Sequence, residues 1–164
     1  YRRVNCPSCC YNDMTPPIAN YETLLSGLIS ELVAASLEYS GSAANDIFIY
    51  AANEGALFFD PFFAVGAEIL NRLQVPGVDA SPDRQRALVR YGSNQLLQFV
   101  QECAAQGHLP PTEIKIHYVV GTGKTEAEML YEPQWSNTDD LLFTDKSAEW
   151  RTEIRSKLIS GSER

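Results

Sequence analysis

The sequence predicts an α+β fold: an antiparallel sheet of about four to five strands with helices packed on one face. Three observations lead there. The periodicities along the chain follow the order helix, strands, helix, strands, helix. Asp46 to Ala51 is almost wholly apolar, as a strand buried on both faces must be, whereas two later runs alternate between core-facing and charged positions. Gly66 and Gly121-Thr122-Gly123 turn the chain tightly from one strand-like run into the next.

The elements follow in order. Residues 1–19 form an N-terminal extension carrying Cys6, Cys9 and Cys10, and Thr15-Pro16-Pro17 bars helix near its end. Residues 20–160 read as one α+β domain. Asn20 is a good N-cap, and Leu24, Leu25, Leu28, Ile29, Leu32 and Val33 recur at helical spacing, so a helix is expected over about 20–37. Ser40-Gly41-Ser42 breaks it, and the strand at Asp46–Ala51 follows. Leu57-Phe58-Phe59 and Phe62 to Val65 predict a second strand, with Asp60-Pro61 marking an edge position or a bulge. Gly66 turns the chain into a third strand near Glu68–Leu73.

Ser81-Pro82-Asp83 opens a long helix, with Ser as N-cap, Pro in the first turn and an acid at the positive end of the dipole. Gly107 stops it. From Thr112 to Val120, Ile114, Ile116 and Tyr118 face one way and Glu113, Lys115 and His117 the other. Gly121-Thr122-Gly123 turns the chain into a last strand, Lys124 to Tyr131. A closing helix is expected over about 145–159, burying Trp150, Ile154 and Leu158.

Composition narrows the function. The 164 residues carry 13 Lys and Arg against 21 Asp and Glu, a formal net charge of −8. That charge disfavours nucleic acid and anionic membrane as partners and favours a basic protein. No apolar run approaches the ~20 residues of a membrane span, and no apolar stretch suggests a signal peptide. Adjacent Cys9 and Cys10 suit a reduced, cytoplasmic setting better than a disulfide framework.

Motifs for chemistry are weak. Gly121-Thr122-Gly123-Lys124-Thr125 ends like a phosphate loop, but Tyr118 stands where the first Gly is required and a strand follows instead of a helix. Cys6-Pro7-Ser8-Cys9 is half of a zinc site that Cys103 and His108 would have to complete. Neither a Gly-x-Ser-x-Gly elbow nor a His-Glu-x-x-His helix is present. Glu126 and Glu128 lie about 7 Å apart by strand rise, a spacing that a solvated strand face shares with inverting glycosidases. The reading is therefore of a non-enzyme without a cofactor. Acids cluster late in the chain: Glu113, Glu126, Glu128 and Glu132 on the hairpin, then Asp139, Asp140 and Asp145, with Trp135 between them. Acids around an aromatic anchor suit the binding of a basic protein.

A longer pattern runs through these elements: Asn45 to Ala51, the paired phenylalanines, Asp79 to Gln85, Glu102-Cys103, Pro111-Thr112-Glu113-Ile114-Lys115-Ile116, Tyr131-Glu132 and Trp150. Over residues 20–155 it resembles the YezG-like antitoxin family, immunity proteins that protect bacteria from polymorphic secreted toxins. One departure is Val119 after the hairpin tyrosine, where the family carries an acid. The resemblance implies a cytoplasmic antitoxin that occludes the basic cleft of a cognate toxin, a nuclease by preference. The rival expectations are a small zinc module built on the N-terminal cysteines and an interaction domain with another partner. The oligomeric state is open at this level.

Overall fold

The computed structural model describes residues 20–134, 136 and 142–161. Eight elements follow one another: α1 (Tyr21–Ser40), β1 (Asp46–Asn53), β2 (Leu57–Val65), β3 (Glu68–Asn71), α2 (Pro82–Ala105), β4 (Glu113–Val119), β5 (Lys124–Leu130) and α3 (Phe143–Gly161). The strands form one antiparallel sheet in the order β3-β2-β1-β4-β5. The fold class is α+β, with an open five-stranded sheet.

Local chemistry sets the helix ends. Asn20 accepts from the Thr23 backbone N–H at 2.8 Å, and Ser81 caps α2 by accepting from Arg84 N–H at 3.4 Å. Gly41, at φ 56°, ends α1 with its N–H on the Leu37 carbonyl, three residues beyond the expected stop.

β1 is central, and its alternate side chains enter two different cores. Ile47, Ile49 and Ala51 pack with Leu28, Leu32, Leu96 and Phe99 beneath α1 and α2. Phe48, Tyr50 and Ala52 pack with Phe62, Ile69 and Trp150 of α3. So two helices cover one face and α3 covers the other, which corrects the expectation that all helices share a face. Alternation along a strand separates two faces but does not say which helix takes which. The apolar run of β1 is the residue-level trace of this double burial.

β2 runs through Asp60-Pro61 without a break and is an interior strand. The proline still obeys the edge rule locally. β3 pairs only with Phe62 to Val65, so Pro61 and the residues before it have no strand on that side.

α3 tracks along β2. Phe143 meets Phe58 at 4.5 Å between centroids, Ser147 reaches Asp60 at 2.7 Å, and Trp150 stands edge-on to Phe62 at 5.1 Å. Asp60 is 7% exposed and also binds Arg72 at 2.9 Å and Arg151 at 2.7 Å. One carboxylate thereby joins β2, the β3 exit and α3. No helix among the described residues is long and apolar enough to cross a membrane.

Candidate functional site

α3 packs on β2 and β3 and reaches β1 through Trp150. Among the described residues no helix covers the β4–β5 half of that sheet face, because a helix about 10 Å wide covers roughly two strands spaced about 4.8 Å apart. The result is an open lane walled by α3 on one side and edged by β5 on the other. A groove of about 430 Å³ occupies it, floored by Phe48 and Trp150 and flanked by Ile154 and Leu158.

The hairpin register places the charged side chains. Glu113, Lys115 and His117 of β4 stand opposite Leu130, Glu128 and Glu126 of β5. The turn is the Gly-Thr-Gly segment that mimics a phosphate loop. Gly123 takes φ 70° and its N–H bonds the Val119 carbonyl at 2.8 Å, which is hairpin geometry.

Along β4 each charge is already tied down. His117 Nε2 lies 2.7 Å from Asp46 Oδ1, and its ring stacks on Phe48 at 4.5 Å and 14°. Lys115 Nζ is 3.3 Å from Glu113 Oε1 and 5.9 Å from the centre of the Trp150 ring. These side chains fix the inner row of the lane. On β5, Lys124 pairs with Glu126 at 2.7 Å, and this hydrogen-bonded ammonium holds the Glu126 carboxyl below its usual range. Glu128 is exposed and makes no ion pair or hydrogen bond among the described residues.

The acids expected to form the interface thus divide. Glu126, Glu128 and Glu132 are exposed along β5 and just after it. Glu113 is only 2% exposed and lies under the lane beside Lys115, so its carboxylate is not presented at the surface with the others. Asp145 is exposed but accepts the Leu142 backbone N–H at 2.9 Å at the start of α3. Trp135, Asp139 and Asp140 lie outside the described residues. His117, Lys115 and the α3 residues Ile154 and Leu158 were absent from the expected site. The alternation of β4 points Lys115 and His117 to the charged face, but nothing local brings α3 beside them.

The half zinc site gains no support among described groups. Cys103 is fully buried in the α1–α2 core, and burial pushes its thiol pKa up, the opposite of a metal-binding thiolate. His108 lies against the Tyr21 ring at 5.5 Å. Cys6, Cys9 and Cys10 lie outside the described residues.

The fold and site together define an α+β protein with a two-helix layer on one face and a half-covered, charged face on the other. A scan against family models finds no match for this chain, and no curated protein matches it.

Proposed function

We propose that this chain is an immunity protein that binds a basic toxin and blocks its active cleft, acting in the cytoplasm without chemistry of its own. The single observation that carries the reading is the exposed pair Glu126 and Glu128, set on the half of the sheet face that no described helix covers, with exposed Glu132 just past the end of β5. In a chain of net charge −8 these carboxylates draw in a cationic surface and compete with the phosphates such a surface would hold. The family resemblance over residues 20–155 points the same way.

The test is co-expression with the product of each gene adjacent to this one, scored for toxicity alone and for binding and relief together with this chain. One-to-one recovery and relief of toxicity are expected. The triple variant Glu126→Lys, Glu128→Lys, Glu132→Lys should bind more weakly and with a flatter salt dependence, because fewer opposite charges remain to be screened. A well-folded wild-type protein that neither binds nor protects overturns the reading.

A further inference from the structure

The groove beside α3 adds a feature that a simple acidic patch does not have. Its α3 wall is partly open: Ile154 is half-buried, Leu158 is 37% exposed, and Lys157 between them is paired with Glu153 of the same helix at 2.7 Å. Its floor is aromatic, with Phe48 at 4% and Trp150 at 8% exposure, so an incoming apolar group meets packed rings. Across the lane, charge is graded. The inner lysine and histidine are each bound to a carboxylate of this chain, at 3.3 Å and 2.7 Å. On the outer strand Glu128 makes no ion pair or hydrogen bond among the described residues. Around the lane Asp46, Glu113 and Glu126 are paired with His117, Lys115 and Lys124, and Lys157 of α3 with Glu153, which leaves Glu128 as the carboxylate without an ion pair among the described residues.

We infer that the lane between α3 and β5 receives one amphipathic helix of the protein partner, with an apolar stripe against Ile154, Leu158 and Phe48 and basic side chains over Glu128 and Glu126. This deepens the immunity reading and rests on it. The dimensions agree. A seven-residue strand is about 23 Å long and matches a helix of about 15 residues. Glu126 and Glu128 stand about 7 Å apart along the strand, close to the separation of helix positions i and i+4. A helix here would also complete the layer, giving this face two helices like the other. Charge complementarity picks a basic helix over an acidic one, since the inner cations are already neutralised and the outer carboxylate is not.

The experiment titrates a 15-residue acetylated and amidated peptide, helical, with leucines on one stripe and lysines and arginines beside it, into isotope-labelled full chain. Saturable shifts are expected at the Ile154 and Leu158 methyls and at the β5 amides. Leu158→Asp should weaken binding about tenfold or more and Glu128→Gln about threefold. Both positions are exposed, and an unchanged melting temperature confirms that the variants fold. The same peptide with glutamines for its leucines should lose the methyl shifts. Shifts confined to β5, or affinity indifferent to Leu158→Asp, overturn the helix lane while leaving the acidic-surface reading in place. Lane shifts that follow protein concentration without peptide, with a dimer in light scattering, assign the lane to a second copy and also overturn it. Toxin relief by wild-type protein is scored separately, so the two readings fail independently.

Discussion

Gly92 on α2 lies against the ring of Phe59 on β2, so close that a Cβ at position 92 would stand 2.3 Å from Phe59 Cδ1 and 2.5 Å from its Cγ. Contact near the root of a ring that is 2% exposed cannot be relieved by moving a flexible tip. Gly92→Ala should therefore cost about 1–3 kcal/mol net, overpacking outweighing the better helix propensity of Ala. Gly27 on α1 has nothing within 4 Å of its built Cβ, and Gly27→Ala should gain up to about 1 kcal/mol. Urea midpoints of the two variants should fall on opposite sides of wild type. A Gly92→Ala midpoint at or above wild type would show that α2 does not seat on Phe59.

Asp60 is the common partner of Arg72, Arg151 and Ser147. Asp60→Ala removes the carboxylate and leaves two guanidinium groups facing a largely buried site. A loss of about 3–5 kcal/mol is expected, as for breaking one side of a buried pair. The damage should spread to α3, so Trp150 fluorescence should shift to the red before the far-ultraviolet signal of the sheet is lost. Coincident transitions with no loss of stability would refute the role given to Asp60.

Tyr50 is fully buried on the α3 face. Burial, followed by the neighbouring Glu113 carboxylate, raises its hydroxyl pKa far above the usual value. An unfolded chain releases this proton near pH ~10, whereas the folded chain keeps it. The unfolded state then binds fewer protons, so the contribution is whole below about pH 10 and falls as pH rises. Between about pH 10 and 11.5, wild type should lose stability faster than Tyr50→Phe, by up to about 1.4 kcal/mol per pH unit. Parallel curves for the two proteins would mean that Tyr50 is solvated.

Cys103 sits fully buried under α1 and Tyr21, with its thiol pKa raised by burial. Iodoacetamide should modify it only on unfolding, at a rate that follows global stability. Mass mapping of the Cys103 peptide with and without urea checks this. Rapid labelling in native protein would contradict the packing of α1 against α2.

The elements most legible in the sequence are those whose cause is local. Asn20 and Ser81 cap their helices by accepting from residues three positions on, and Gly123 turns the hairpin through its own positive φ. The β4 alternation of Ile114 and Ile116 against Lys115 and His117 follows from the pleat alone. The sequence by itself thus determined the α+β class, the order of the elements, the double burial of β1 and the charged face of the hairpin. Only the tertiary structure decided that Glu113 is buried, that β2 is interior despite Pro61, and that α3 crosses to the far face beside His117 and Glu128. Each of those outcomes depends on how elements pack rather than on local pattern: Tyr50 of β1 beside Glu113, the short β3 that stops before reaching Pro61, and Asp60 holding Ser147 and Arg151. Periodicity tells a helix which side to bury. It carries no record of which face of a doubly buried sheet will receive it.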